Sequence, residues 1–180
     1  MRYPIAVLLC LFVLGGCAGL QPQTEITDDV FISERPSLKV QIDATVYKRG
    51  KNGQTWWWGC DGAGVAVNIY RDRTREEKLD YYYSLEHIVK NQNGVALGSV
   101  HFNDHKWLRY AYANKQGYLH TGYYTRKGRY FISVYRFVEI GGSDLAEVEK
   151  WRRDHELTTK QRALFEEAFE HTDRMFIIVY

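Results

Sequence analysis

Through the middle of the chain, apolar and polar residues alternate with a period of two, the pattern of half-buried β-strands. Leu38, Val40, Ile42, Ala44 and Val46 share one face of a strand over 38–47, and Val65, Val67 and Ile69 mark a second over 65–70. Four alternating stretches follow at short spacing: Val95–Phe102, His105–Ala113, Tyr118–Thr125 and Arg129–Val138. Turn-forming residues separate them, namely Asn103-Asp104, the run Asn114–Gly117, and Arg126-Lys127-Gly128. The pattern predicts an antiparallel meander. Strict alternation puts Val100, Phe102 and Trp107 on one side and Leu97, Leu108, Tyr110 and Tyr112 on the other. Apolar residues on both sides predict a sheet covered on both faces.

The period changes to that of a helix in three places. Thr74 with Glu77 makes a capping box, and Tyr81, Tyr82, Leu85, Ile88 and Val89 then fall in one arc before Asn93-Gly94 ends the helix. After Gly141-Gly142, Asp144 and Glu147 suit the start of a helix running to about His155. Thr158 with Gln161 starts another, on which Leu164, Phe165, Ala168 and Phe169 share a face. Met175–Tyr180 is β-branched and apolar and reads as a terminal strand. The expected fold is therefore α+β. A single antiparallel sheet, built from a β-hairpin, a helix, the four-strand meander and C-terminal helices, carries helices packed on it as an α/β/α sandwich. This element order resembles the PsbP-like α/β/α sandwiches, a likeness that implies a binding or assembly role. The apolar tail at Met175–Tyr180 departs from that pattern.

The first residues have a different character. Met1-Arg2 supplies a positive charge, and Ile5–Leu14 is an unbroken apolar run of ten residues. A bilayer-spanning helix needs about 20 apolar residues, so the run reads as the core of a secretory signal peptide. It ends in Leu14-Gly15-Gly16-Cys17, which resembles the lipobox of bacterial lipoproteins. The resemblance implies cleavage before Cys17 and a lipid on its sulfur. The alternative is an ordinary signal peptide with a chance cysteine. Ala18 stands where an inner-membrane retention signal would place Asp, which by analogy implies the outer membrane, on its periplasmic face. The organisation expected is a removed signal peptide at 1–16, a lipidated N-terminus and flexible tether at 17–37, and one domain at 38–180. The tether assignment rests on its Gly, Gln, Thr, Asp and Ser content with Pro22 and Pro36, around a weak strand signal at Val30-Phe31-Ile32. Cys10 would leave with the leader, so Cys60 would be the single remaining thiol and no intramolecular disulfide could form.

Charge narrows the partners. Lys and Arg number 24 against 22 Asp and Glu, a formal charge of +2, too balanced for binding nucleic acid by phosphate neutralisation. The expected partners are the membrane, through the lipid, and an envelope protein or cell-wall component. No cofactor is expected, because Gly62-Ala63-Gly64 lacks the third glycine of a dinucleotide fingerprint and no P-loop is present. No metal site is expected either. A turn at Asn103-Asp104 would set Phe102 opposite His105 and send His101 to the other side, while Asp154-His155-Glu156 diverge around a helix. Glu170-His171 reads as a solvated helix end.

Aromatic residues are the surplus: 5 Trp, 14 Tyr and 8 Phe. Trp56, Trp57 and Trp58 are consecutive, and in an extended chain they cannot all point inward. With Tyr83, which lies outside the packed arc of its helix, they form the candidate binding surface. The alternative is a loop that folds back over the sheet end. Gly59-Cys60-Asp61-Gly62 and Leu119-His120-Thr121-Gly122-Tyr123 are similar to the cysteine and histidine motifs of NlpC-type cell-wall peptidases. That resemblance implies a Cys60 nucleophile with His120 as its base. Two features depart from it: Val65-Ala66-Val67 after the glycines favours a strand over a helix, and Ser133 is a poor histidine orienter. The favoured expectation is a non-catalytic binding or assembly lipoprotein, with the thiol hydrolase as the alternative.

Overall fold

The structure is a computed structural model that describes residues 24–27, 29–43, 48–60, 62–71, 89, 94–102, 104–114, 116–141, 146 and 158–179. Alternation builds a larger and more strand-rich fold than the sequence suggests. Among the described residues eleven strands form two antiparallel sheets. The smaller takes β1 (Thr24–Ile26), β2 (Val30–Glu34), β3 (Ser37–Ile42) and, from the far end of the chain, β11 (Phe176–Val179), in the order β1-β2-β3-β11. The larger contains β4 (Lys48–Asn52), β5 (Thr55–Cys60), β6 (Ala63–Arg71), β7 (Val95–Phe102), β8 (His105–Ala113), β9 (Tyr118–Lys127) and β10 (Tyr130–Glu139). Its order is β4-β5-β6-β10-β9-β8-β7. The helix α1 (Thr159–Met175) leads into β11.

The expectation of a single sheet in an α/β/α sandwich is thus overturned. The strand over 38–47 does not form a hairpin with the one at 65–70. Instead β3 pairs with β2 and β11, while β6 pairs with β5 and β10. The segment read as a tether contains strand: β1 and β2 lie within it, and Phe31 is fully buried. The polar segment 48–54 is a strand and a tight turn of a β4–β5 hairpin, with Gly53 at a positive φ of 59°. The helix expected after Thr74 and the one expected to reach His155 fall outside the described residues, except that Val89 and Ala146 are each helical.

The meander is where alternation expected it, down to the pairing of Phe102 with His105 across the Asp104 turn. Leu97 is the exception. A bulge between Ala96 and Ser99, with Gly98 at φ 90°, adds a residue and puts Leu97 on the same side as Val95. Strict counting from Val100 therefore assigns it to the wrong face.

One face of the large sheet forms the inter-sheet core. There Trp56 and Trp58 of β5, Val65 and Val67 of β6, and Ile132 and Val134 of β10 meet Phe31, Leu38, Val40, Ile42, Phe176 and Ile178 of the small sheet. The indole of Trp58 donates a 3.4 Å hydrogen bond to the Thr27 carbonyl. Helix α1 covers the rest of this face. Its N-terminus carries the expected capping box of Thr158 and Gln161, and Phe165, Ala168 and Phe169 are buried. Thr172 donates to the Ala168 carbonyl, so the 2.6 Å contact with Thr121 is a bond donated by Thr121. Arg109 pairs with Glu166 at 3.1 Å and lies over the Phe169 ring, and Tyr123 donates to Asp173.

Candidate functional site

The opposite face of the large sheet carries the candidate site, and register alone lays it out. Side chains on one face recur every second residue, so three cross-strand rows run over β4, β5, β6, β10, β9 and β8. The first row is Lys48, Gly59, Gly64, Phe137, His120 and Tyr112. The second is Gly50, Trp57, Ala66, Tyr135, Gly122 and Tyr110. The third is Asn52, Thr55, Asn68, Ser133, Tyr124 and Leu108.

Small residues lie between aromatic ones in the first two rows, and the rings lie down across them. A methyl group at Gly50 would sit 2.6 Å from Cζ2 of Trp57, and one at Gly64 would sit 2.6 Å from Cζ of Phe137. The glycines are therefore what let the Trp57 and Phe137 rings rest on backbone. The result is a groove of about 540 Å3, within the roughly 300–1,000 Å3 range of small-molecule sites. Trp57, Ala66, Tyr135, Phe137 and Tyr118 supply its aromatic and apolar lining, and Lys48, Asn52 and Thr55 supply polar groups. The four aromatic residues are all half-buried.

Deeper along the first row the face becomes a closed aromatic stack. His120 is 8% exposed, stacked on Tyr112 at 4.4 Å and tilted against Tyr135 at 5.1 Å. Asn114 Nδ2 lies 3.3 Å from its Nε2. With the amide as donor, Nε2 accepts and Nδ1 carries the proton; Nδ1 is buried with no hydrogen-bond partner among the described residues. Burial lowers the imidazole from its ordinary 6.5 to about 4, so it is neutral at pH 7. Burial likewise raises the phenols of Tyr110, Tyr112 and Tyr135. Beyond the third row, Val89 closes over Leu108, Tyr110, Tyr124 and Phe131.

The structure separates the residues singled out from sequence. Trp56 and Trp58, 4% and 1% exposed, are core, and Trp57 alone of the three lines the groove. The three form a strand and not a loop. Tyr83 lies outside the described residues. Cys60 sits at the end of β5, paired with Ala63, in a row that continues through Val138 to Leu119. Three strand spacings separate its backbone from β9, roughly 14 Å, so Cys60 and His120 are not brought together. Ser133 is two rows from His120 on the same face. His101 pairs with Lys106 and is exposed, while Glu170 and His171 are exposed on α1. Asp154, His155 and Glu156 lie outside the described residues. Among the described residues no cluster of three metal-ligating side chains occurs.

Phe137, Lys48 and Asn52 were not singled out from sequence. The available signal was the alternation of Tyr135 and Phe137 on one strand opposite Ala66 and Gly64 on another, which only the β6–β10 register aligns. No protein-family model matches the chain, and no curated protein matches it.

Proposed function

We propose that this chain is a lipid-anchored protein of the bacterial envelope, on the periplasmic face of the outer membrane. There it holds an envelope component in the groove between Trp57 and Phe137 without transforming it. The observation that carries the binding role is the platform itself: two half-buried rings resting on glycine backbone, bordered by an amide, a hydroxyl and an ammonium. Half-buried aromatic residues held rigidly by their neighbours lose little entropy on binding, which is why such residues dominate recognition surfaces. The groups beside them are donors and acceptors suited to orienting a ligand. The anchoring role rests on Leu14-Gly15-Gly16-Cys17.

The two halves of the reading have separate tests. Cys17→Ser should abolish metabolic labelling with a fatty acid and shift the protein from the membrane fraction to the soluble periplasm. Retained labelling would refute the anchor. Crosslinking in intact envelopes should capture a component with the wild-type protein that Trp57→Ala loses. Hydrolysis of peptidoglycan by the purified protein, abolished by Cys60→Ala, would replace the binding role with catalysis.

A further inference from the structure

The chemistry of the groove defines its ligand further, given the binding role proposed above. We infer that the groove takes an acidic saccharide, seated with ring faces on Trp57 and Phe137 and its carboxylate toward Lys48. The order of the rows is the reason. Aromatic surface occupies the first two rows, Phe137 in one and Trp57 and Tyr135 in the other, with hydrogen-bonding groups at its border: Lys48 at the β4 end of the first row, Asn52 and Thr55 in the third. Neighbouring rows on one face lie two residues apart, about 6.7 Å.

A sugar ring has this same distribution. Its axial C–H bonds present an apolar face, which the negative face of an aromatic ring attracts, and its hydroxyls project from the rim. Strand addition by an extended peptide is open only at the outer edge of β4, away from the rings, because the floor strands β5 and β6 are already paired on both sides. Thr55 is set to donate, since its Oγ1 accepts 3.1 Å from Asn68 Nδ2 and its own hydrogen is turned elsewhere. Asn52, at the end of edge strand β4, offers both an acceptor and a donor.

Charge sets the class of sugar and its direction. β4 reads Lys48-Arg49-Gly50-Lys51-Asn52, with no acidic residue. Lys51 lies on the other face, over Trp56 at 4.8 Å, so Lys48 is the ammonium among the described residues that lines the groove. Across the sheet, Glu139 is the last residue of β10, the strand that bears Phe137, and its Oε2 would lie 3.3 Å from a methyl group at Gly62. A carboxylate on the ligand is thus drawn to the β4 side, and Glu139 is left to accept from a hydroxyl or N-acetyl N–H.

The test uses full-length protein purified in detergent and two probes with the same β-1,4-linked backbone. One is a soluble, peptide-free glycan of alternating N-acetylglucosamine and N-acetylmuramic acid; the other is chitotetraose, which lacks the carboxylate. Calorimetry and tryptophan fluorescence should show saturable binding of both, with the acidic glycan about tenfold tighter, as one charge-assisted hydrogen bond supplies. Lys48→Gln should erase that preference, weakening the acidic glycan about tenfold and chitotetraose far less. Trp57→Ala should weaken both by about tenfold or more. Gly50→Ala, which keeps the tryptophan but forces its ring off the backbone, should weaken both as well. Wild-type circular dichroism and melting of Lys48→Gln would show that its effect is local. Absence of saturable binding, equal affinity for the two probes, or indifference to Lys48→Gln and Trp57→Ala would each overturn the inference. If neither glycan binds while Trp57→Ala still loses a protein crosslink in envelopes, the binding role stands and the saccharide falls. If Cys17→Ser stays lipid-labelled, the anchor falls and the glycan result is scored by itself.

Discussion

Trp58→Ala should lower the unfolding free energy by about 3–5 kcal/mol and the melting temperature by roughly 10 °C. The residue is 1% exposed, its indole meets the Phe31 ring edge-on at 6.1 Å, and Phe31 also packs on Trp56 at 5.1 Å. Removing the indole opens a cavity between two sheets whose backbones are each pinned by their own ladders, so collapse into it is limited. It also deletes the bond to the Thr27 carbonyl. Trp58→Phe should recover most of the loss, leaving about 1 kcal/mol for that bond and the smaller ring. Trp57→Ala, one residue away on the opposite face, should cost less than half as much, because its ring is half exposed over the groove. Urea denaturation of the three variants reads all of this. Equal losses for Trp57→Ala and Trp58→Ala would contradict the face assignment.

Acid should loosen the fold through His120. Its folded-state pKa, about 4, lies below the ordinary 6.5, so between those values the unfolded chain binds a proton that the folded chain refuses. The unfolding free energy therefore falls as pH drops through this window. The slope is at most about 1.4 kcal/mol per pH unit, and the total is about 3 kcal/mol. His120→Phe keeps a ring in the stack with Tyr112 and Tyr135 and removes the proton. Carboxylates titrate in both proteins, so the difference between the two pH profiles isolates the imidazole. From pH 7 to pH 4.5 the wild type should lose about 2–3 kcal/mol more than the variant in chemical denaturation. Parallel profiles would mean that His120 reaches water in the folded state.

How far the molecule is legible in its sequence follows from where each residue gets its conformation. The meander was readable because Trp107, Leu119 and Ile132 sit in strands whose alternation is local and whose turns are a few residues long. Helix α1 was readable because Thr158 and Gln161 satisfy its first backbone N–H groups within one turn. β4 was not readable, since its Lys, Arg and Gly residues carry no apolar alternation and extend only because β5 offers a ladder. Partner choice was hidden as well. The buried face of β3, Leu38, Val40 and Ile42, states that something covers it, and nothing nearby in the chain identifies Phe176 and Ile178 beside it and Trp58 above it. The consecutive tryptophans are a strand with both faces occupied, one by core and one by groove, a double role that composition alone reads as a loop. The groove was legible in its Trp57 and illegible in its floor, because Gly64 and Ala66 acquire meaning only through their register with Phe137 and Tyr135.

The pairing of β3 with β11 also has a temporal side. Residues 39–42 wait for residues 176–179, so the small sheet has its outermost ladder only after more than 130 further residues have been made. Closing so long a loop is entropically slow, and it comes after the locally paired meander is in reach of completion. Until then one edge of β3 stays open, with apolar side chains and unpaired N–H and C=O groups that invite pairing with another chain. β11 is thus a lock that the order of synthesis turns long after β3 has been made, and an interval before locking is when escorting factors or proteases would find it.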